Sequence, residues 1–397
     1  MNNNIFADRI NDVPRSFIRE ILKVAIDHSV ISFAGGLPNR ELFPEKELRQ
    51  ATEKVFDTYG KDIFQYANSE GFYGLREYIS KRYHEKKNLD IPVDNILITN
   101  GSQQGLDLIG KILVNERDDI IIEEPGYLGA IQALSIFKPK FNTIPLHDYG
   151  LDIAGLRTVM SAKQPKIMYC VPNFQNPSGI SYSEDNRSEI AEILKNTGTI
   201  IIEDDPYGEL RYSGISKTSF KTLLPENTVL LGSFSKIVVP GFRLGWIAAP
   251  AHIMDKLIVA KQAADLHTTH FTQYIVYQYL KDNDIDAHIA KIKDVYGKQL
   301  QAMLNSMEKE FPDGVTHTSP EGGMFVWARL PEHTSSRKLL ELSMQDKVIF
   351  VPGDPFYVNR QETNTMRLNF SCMNEDTIRS GISRLGKSIN KLLRPLT

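Results

Sequence analysis

The sequence is poor in cysteine and lacks long apolar runs, and each shortage excludes a class of protein. Its two cysteines, Cys170 and Cys372, lie far apart in 397 residues, which excludes a disulfide framework and a cysteine-rich metal cluster. No apolar run approaches the length of a membrane span, and residues 1–5 lack the charged-then-apolar pattern of a signal peptide. We therefore expect a protein of the reducing cytoplasm, with no bound metal and no membrane partner.

An excess of positive charge is also missing. The 46 basic and 49 acidic side chains are interspersed and leave a net charge of −3, which argues against a nucleic-acid partner. The hydrophobic fraction of 41% and the charged fraction of 24% are those of an ordinary globular protein. A chain of this length can hold roughly two or three domain-sized units.

Short apolar runs rich in β-branched residues alternate with helix-length segments over residues 46–285. Predicted helices at 103–114 and 183–196 separate several of these runs. Continuous apolar strands that alternate with helices predict an α/β fold with a mostly parallel sheet covered on both faces. Ligands of such sheets bind at the carboxyl ends of the strands. The predicted strands are 96–99, 120–123, 167–171, 199–203, 229–231 and 244–248.

The remaining residues predict two further units. Residues 286–397 begin with a long helical pattern at 289–311 and continue as mixed helix and strand, which predicts a smaller α/β domain. Residues 1–45 form an N-terminal arm with a predicted helix at 16–26, followed by a glycine-rich loop. The large domain then corresponds to residues 46–285.

A small-residue turn, residues 100–105, joins the predicted strand at 96–99 to an amphipathic helix. A turn of this kind at a helix start presents free backbone N–H groups to an anion, and Ser102 adds a hydroxyl. The alternative is that Ser102 only caps its own helix.

Carboxylates follow the predicted strand at 199–203. Asp204 or Asp205 at the end of a buried strand needs a partner, because an unpaired buried charge is costly. A protonated pyridine nitrogen or a Mg²⁺ ion would serve. The alternative is a helix cap by Asp205, with Pro206 at the first helical position.

A lysine with apolar neighbours follows the next strand. Lys236 lies between Phe234 and the apolar residues 237–239, and burial would lower its pKa and make its amine nucleophilic. Two serines precede it, and Arg243 follows, which suits the bidentate binding of a phosphate.

Two polar residues lie apart from these segments. Asn176 stands in a turn rich in Asn, Pro and Gly, where it is either an ordinary turn former or an amide aimed at a ligand. Arg367 lies on an apolar strand of the smaller domain. A guanidinium among buried neighbours needs a carboxylate partner, from the protein or from a substrate.

In combination, the segments 31–38, 99–105, 201–207 and 233–236 resemble the class I and II aminotransferases of fold type I, which depend on pyridoxal phosphate (PLP). The likeness spans the whole chain and is strongest to the 2-aminoadipate and kynurenine branch and its bacterial multisubstrate relatives. It implies a seven-stranded, mostly parallel sheet between helices. It also implies transfer of an amino group from an aminoadipate-like, aromatic or branched L-amino acid to a 2-oxo acid, with 2-oxoglutarate expected.

The resemblance assigns roles around the cofactor. Lys236 carries PLP as a Schiff base and then shuttles the proton, Asp204 pairs with the ring nitrogen, and Tyr207 is the third catalytic residue. Tyr207 and Asn176 hydrogen-bond the phenolic oxygen, and Tyr127 stacks on the ring. The residues implied at the rest of the cofactor, mostly its phosphate, are Ser102, Gln103, Gln104, Ser233, Ser235, Arg243 and, from the neighbouring subunit of a homodimer, Tyr66.

The resemblance also implies how the substrate is held. Arg367 clamps its α-carboxylate, Asn176 lies beside it, and Gly36 belongs to a covering loop. Arg19 resembles a mobile arginine that adjusts to acidic or apolar side chains, as a site for two different substrates requires.

Three other functions compete with amino-group transfer. A PLP-dependent C–S lyase or decarboxylase stays open, because the reaction depends on which Cα bond stands perpendicular to the ring. A regulator with a fused helix-turn-helix is disfavoured by the short stretch before Phe33 and by the net charge of −3. A Mg²⁺-dependent phosphate enzyme would need a Gly-Lys-Ser/Thr phosphate loop, which the sequence lacks.

Overall fold

The computed structural model describes residues 5–11, 29–359 and 362–394. The helix predicted at 16–26, and Arg19 with it, lies outside the described residues. Within the described ranges, none of the helices combines the length and the apolar character that crossing a membrane requires.

The described residues form helices and strands in alternation through the first two thirds of the chain. The strands are β1 Ile31–Ser32, β2 Ile96–Thr99, β3 Asp119–Glu124, β4 Lys140–His147, β5 Gly150–Leu151, β6 Ile167–Cys170, β7 Ile200–Asp204, β8 Thr228–Ser233, β9 Gly245–Ala248, β10 Thr316–His317, β11 Phe325–Arg329, β12 Val348–Ile349, β13 Val351–Pro352 and β14 Thr365–Asn369. The α-helices are α1 Asp8–Asn11, α2 Glu45–Tyr59, α3 Tyr73–Lys87, α4 Ser102–Leu113, α5 Leu128–Ser135, α6 Ile153–Ala162, α7 Glu184–Leu194, α8 Phe220–Leu223, α9 Ala251–Asp265, α10 His270–Asp282, α11 Ile285–Glu310, α12 Ser336–Gln345 and α13 Glu375–Leu393.

The large sheet has the strand order β2-β9-β8-β7-β6-β3-β4-β5. The five strands from β8 to β4 in that order run parallel, while β9 is antiparallel to both of its neighbours. This confirms the predicted mostly parallel α/β sheet.

The seven strands implied by the family resemblance correspond to β2, β9, β8, β7, β6, β3 and β4, and one short strand at the edge extends the sheet to eight. The additional strand is β5, two residues that pair antiparallel with the edge strand β4. The side chain of Asn186 holds it from α7, because its amide both accepts from the Leu151 N–H (3.0 Å) and donates to the Leu151 carbonyl (2.8 Å). Strand β4 itself has no continuous apolar run, because most of its side chains are partly or fully exposed, and it was not predicted.

Side chains of the central strands are buried on both faces of the sheet. In β3, Ile120 and Ile122 belong to one hydrophobic core and Ile121 to a second one on the opposite face. Alternate residues of a strand point to opposite faces, and burial stabilises each such side chain by about 1.5–3 kcal/mol. The central strands therefore read as continuous apolar runs in the sequence.

A second, antiparallel sheet of four strands has the order β10-β11-β14-β13. The residues after the N-terminal gap join this part of the molecule, since β1 pairs parallel with β12 and the Phe33 carbonyl accepts from the Asn369 N–H (2.9 Å). Helix α11 begins at Ile285, beside the predicted boundary at 285/286. The division at 45/46 and 285/286 stays a prediction, and we retain it as a proposal.

Candidate active site

Several polar segments meet at one edge of the large sheet. Thr99 at the end of β2 and Ser233 at the end of β8 both pair with Gly245, the first residue of β9. Because β9 is antiparallel to its neighbours, the loop that precedes it lies at the carboxyl edge of β2 and β8. Ser102, Lys236 and Arg243 are therefore carried to the edge where ligands of such sheets bind.

Glycine allows a close approach between the start of α4 and Arg243. Gly101 has φ +73°, and a Cβ at this position would lie 2.6 Å from a terminal nitrogen of the Arg243 guanidinium. A Cβ at Gly245 would lie 2.7 Å from the backbone nitrogen of Ser102. Helix α4 begins at Ser102 and its capping position, Gly101, supplies no side-chain bond, so the alternative in which Ser102 caps the helix is wrong. A helix start facing an arginine is suited to a phosphate.

Ser233 and Ser235 are hydrogen-bonded to each other, and Gln103 reaches the next helix. The Ser233 hydroxyl accepts from the Ser235 N–H (3.0 Å) and donates to the Leu244 carbonyl (3.3 Å). Gln103 is exposed and donates to the Gly129 carbonyl (2.9 Å), which ties α4 to the first turn of α5, next to Tyr127.

Gln104 differs from its predicted role. Its side-chain oxygen accepts from the Asn100 N–H (2.8 Å) and from Lys261 (2.7 Å), and its amide nitrogen donates to Asp265 (2.7 Å). The side chain is thus occupied by the protein and holds the turn from behind. Sequence reasoning missed Lys261, a fully buried lysine whose only signal is its i,i+4 spacing to Asp265.

Asp204, at the end of β7, is 2% exposed. One carboxylate oxygen accepts from the Tyr169 hydroxyl (2.8 Å), and the other is buried without a hydrogen-bond partner among the described residues. Burial raises its pKa to about 7 and the charge of Asp205 adds to this, while the bond from Tyr169 opposes it. A cationic N–H donor at the free oxygen would complete the pairing.

Asp205 is separately engaged. It accepts from the Asn173 amide (2.9 Å), and the residues that follow it form bends and turns. The alternative of a helix capped by Asp205 is therefore wrong. Among the described residues, no group of three or more His, Cys, Asp and Glu side chains could hold a metal ion.

Lys236 faces the glycine-rich loop. Its amine donates to the Gly36 carbonyl (2.9 Å) and lies 5.9 Å from the centre of the Tyr207 ring. Burial, together with the charges of Arg367 and Arg243, lowers its pKa to about 8, while Cys372 acts in the opposite direction. Such an amine is a usable nucleophile and proton carrier near neutral pH.

Arg367, in β14, is buried without a carboxylate. Its two terminal nitrogens donate to the Asn176 side-chain oxygen (2.8 Å) and to the Ala34 carbonyl (2.7 Å). The guanidinium carbon lies 4.4 Å and 5.2 Å from the ring centres of Phe325 and Phe356. Burial lowers its pKa to about 10, and no carboxylate of the described residues lies within ion-pair distance. The site calls for an anion from outside the protein.

Aromatic side chains complete the site. Tyr207 is buried with its ring edge-on to Phe325 at 5.9 Å, and its hydroxyl is hydrogen-bonded to Asn176. Tyr127 is partly buried, and burial together with the charge of Asp204 raises its pKa to about 12. Asn176 thus links Tyr207 to Arg367.

The glycine-rich loop is packed onto the arginine. A Cβ at Gly36 would lie 3.2 Å from the Phe325 ring and 4.0 Å from Arg367. Tyr66, in contrast, lies on the surface of the chain, 79% exposed, with its ring edge-on to His267 at 6.0 Å.

These features fit pyridoxal phosphate. The start of α4 beside Arg243 suits its phosphate, and the buried, unpartnered oxygen of Asp204 suits its ring nitrogen. The near-neutral amine of Lys236 suits its aldehyde, and Arg367 is left for the carboxylate of a substrate.

Known proteins agree with this interpretation. The family model "Aminotransferase class I and II" matches residues 34–385. The chain is 42% identical to aromatic-amino-acid aminotransferase 1 of Thermococcus litoralis, over 98% of this chain and 95% of that protein, and 36% identical to 2-aminoadipate transaminase of Thermus thermophilus, over 96% and 95%. The crystal structure of Pyrococcus horikoshii kynurenine aminotransferase with PMP superposes with a TM-score of 0.93, at 39% identity and 98% coverage of both chains. The chain therefore belongs to the class I and II aminotransferases, as its motifs predicted, and is a PLP-dependent enzyme of amino-group transfer.

Proposed function

We propose that the enzyme takes its amino group from an aromatic, aminoadipate-like or branched L-amino acid and passes it to 2-oxoglutarate. The observation that carries this proposal is Arg367, a buried guanidinium with free N–H groups and no carboxylate of its own among the described residues. Both the amino acid and the 2-oxo acid carry the α-carboxylate that it lacks. The aromatic and aminoadipate donors are supported by the names of the relatives at 42% and 36% identity.

In this proposal the residues of the site hold PLP by its two ends. Asp204 accepts from the ring nitrogen, while Ser102, Ser233, Ser235 and Arg243 surround the phosphate. When bound, PLP supplies the electron sink for the electrons left at the substrate Cα. Asp204 favours this role by keeping the ring nitrogen protonated.

Lys236 is proposed to attach the cofactor and to move the proton at the substrate Cα. A pKa of about 8 leaves roughly a tenth of the amine uncharged at pH 7, several hundred times more than an ordinary lysine. The Gly36 carbonyl, 2.9 Å from the amine, orients it on the side of the glycine-rich loop. Arg367 and Asn176 orient the substrate carboxylate. The phenol of Tyr207 would hydrogen-bond to the phenolic oxygen of the cofactor ring.

The test compares two buried lysines. Lys236→Ala should abolish both the Schiff-base absorbance of the cofactor in the purified protein and glutamate formation from 2-oxoglutarate in a donor screen. Lys221→Met is the matched control, because burial also lowers the pKa of Lys221 to about 8 but its amine donates to backbone carbonyls, including that of Thr228 (2.9 Å). Unchanged turnover in Lys236→Ala, or release of ammonia and pyruvate without glutamate, would contradict the proposal.

We also propose a homodimer in which Tyr66 reaches the partner's cofactor. An aromatic cluster next to it supports this, since Phe56, Phe64 and Phe271 have ring centres 5.4–6.3 Å apart and Phe64 is 70% exposed. Exposed apolar patches of this kind mark protein interfaces. Phe64→Glu should give monomers in sedimentation and lower activity, whereas Tyr66→Phe should stay dimeric and bind PLP more weakly. A fully active monomer would refute the shared site.

The cytoplasm remains our proposed compartment. Both cysteines are free thiols in the structure, Cys170 within the core and Cys372 partly exposed, as in proteins of a reducing environment. Cell fractionation with an antibody to the chain would test this location.

A further inference from the structure

The hydrogen bond between Tyr169 and Asp204 joins neighbouring strands. Tyr169 of β6 pairs in register with Ile202 of β7, and Asp204 stands two residues further along the same face of the sheet. Side chains in this diagonal relation are within reach of each other when one of them is long. Tyr169 is 0% exposed, and its hydroxyl lies 2.8 Å from the carboxylate oxygen.

The direction of this bond is determined by chemistry. A carboxylate only accepts, so the single proton of the Tyr169 hydroxyl is committed to Asp204. One oxygen of Asp204 is thereby occupied, and the other is left buried without a partner among the described residues. Tyr169 thus determines which oxygen is available to a ligand.

We propose that Tyr169 is a positioning residue that fixes the Asp204 carboxylate and keeps it ionised for the protonated ring nitrogen of the cofactor. The inference rests on the proposed function, because it needs PLP at this site. Tyr169 acts through Asp204 and needs no contact with the substrate.

The surroundings of Asp204 make this bond important. None of the groups that face it is a cation, and none of the described cations lies within ion-pair distance. Without the Tyr169 bond, burial and the charge of Asp205 would both favour the protonated carboxyl. The titratable groups whose charges interact with Asp204 are Tyr169 on the same face of the sheet, Cys170 on β6 and Glu123 on β3 on the opposite face, and Tyr127, Asp205 and Tyr207 in the loops beyond the strands.

The consequence concerns one proton shared between Asp204 and the ring nitrogen. A donor to the carboxylate favours the charged pair, with the proton on the ring. Loss of that donor moves the proton toward Asp204, weakens the ion pair, and makes the ring a poorer electron sink. Both the affinity for PLP and the pH range of ring protonation should therefore change.

Tyr182 offers a matched control in the same chain. It is also 0% exposed, and its hydroxyl donates to a buried carboxylate, that of Glu123 (2.7 Å). Glu123 has two further donors, the Val171 N–H and the Gln175 amide, both at 3.0 Å. Tyr182→Phe removes the same kind of bond from the same kind of environment but leaves the donor to Asp204 in place.

The experiment uses the full chain loaded with PLP that carries ¹⁵N in its ring. In wild type and both variants, the dissociation constant for PLP and the ring-nitrogen chemical shift are measured across pH 5–10. Tyr169→Phe should raise the dissociation constant by about 10- to 100-fold, as expected for the loss of a bond to a charged group. It should also shift ring deprotonation to lower pH, whereas Tyr182→Phe should match wild type.

The outcomes separate the two proposals. Absence of PLP binding to wild type would refute the proposed function itself. PLP binding to wild type, combined with an unchanged dissociation constant and ring titration in Tyr169→Phe, would overturn only the role of Tyr169. If Tyr169→Phe does not fold, 3,5-difluorotyrosine at position 169 keeps the shape and strengthens the donor. Ring deprotonation should then move to higher pH, and an unchanged titration would overturn the inference.

Discussion

Substitution of Arg367 tests the central claim about the substrate site. Each terminal nitrogen of its guanidinium uses one hydrogen on the protein, in bonds to Asn176 and Ala34, and retains one more. Two N–H groups of a buried cation are therefore available to the two oxygens of an α-carboxylate. Arg367→Lys keeps a positive charge but offers one donor to the carboxylate, and Arg367→Leu offers none.

The size of the effect follows from the number of bonds lost. A hydrogen bond to a charged group is worth about 1.5–3 kcal/mol, and each 1.36 kcal/mol is tenfold in rate. We expect Arg367→Lys to lower kcat/KM by about 10- to 100-fold. Arg367→Leu, which loses both bonds, should lower it by about 10²- to 10⁴-fold.

The assay is glutamate formation at limiting donor, with the absorbance of bound PLP recorded for each variant. Cofactor binding should be retained, because Arg367 has its proposed contact with substrate and not with PLP. Arg82→Lys is the control, since Arg82 has carboxylates of its own in Glu209 and Asp286 and should stay fully active after substitution. An unchanged kcat/KM in Arg367→Leu would refute the reasoning, and so would an equal loss in Arg82→Lys.

Three further predictions concern the cofactor site. Gly101→Ala should weaken PLP binding by roughly tenfold, because its Cβ would displace Arg243. Gly60→Ala is the control for backbone strain, since Gly60 has φ +53° and open space around it. Lys261→Met should lower the free energy of unfolding by about 1–3 kcal/mol in urea titrations, because it leaves buried acceptors without their donor. The pKa of Asp204 is raised to about 7 in the cofactor-free fold, because the buried site favours the protonated carboxyl. This preference contributes stability fully below pH 4, and the contribution is lost as the pH rises through about 7. Relative to Asp204→Asn, the cofactor-free wild type should therefore lose up to about 4 kcal/mol between pH 4 and 7.

For each of these three predictions, one result would contradict the reasoning. Equal PLP affinities in the two alanine variants would show that the approach of Arg243 to the α4 start is unimportant. An unchanged urea midpoint in Lys261→Met would mean that the network around Gln104 is dispensable. Parallel stability curves for wild type and Asp204→Asn would show that Asp204 titrates as an ordinary carboxyl.

The sequence by itself determined what depends on neighbouring residues. Strand β2 begins and ends where the apolar run predicted, and the long helical pattern at 289–311 lies almost wholly within α11, Ile285–Glu310. Both follow from local periodicity and from turn residues at their ends. The order of small, polar and apolar residues around Lys236 and Ser102 likewise belongs to short segments, so the motifs identified the family before any contact was known.

Tertiary structure decided what depends on residues that are distant in the chain. The Ala34 carbonyl is 333 positions from Arg367, and the strand β5 depends on the amide of Asn186, 35 positions away from Leu151. Gln104 looked like a ligand in its motif, but a buried lysine 157 positions later occupies it. In the sequence, Tyr169 is one residue of an apolar strand and nothing near it indicates a role. Only the pairing of β6 with β7 brings its hydroxyl to Asp204. A hydrogen bond needs atoms about 3 Å apart, and that proximity is a property of the fold that periodicity and spacing do not encode.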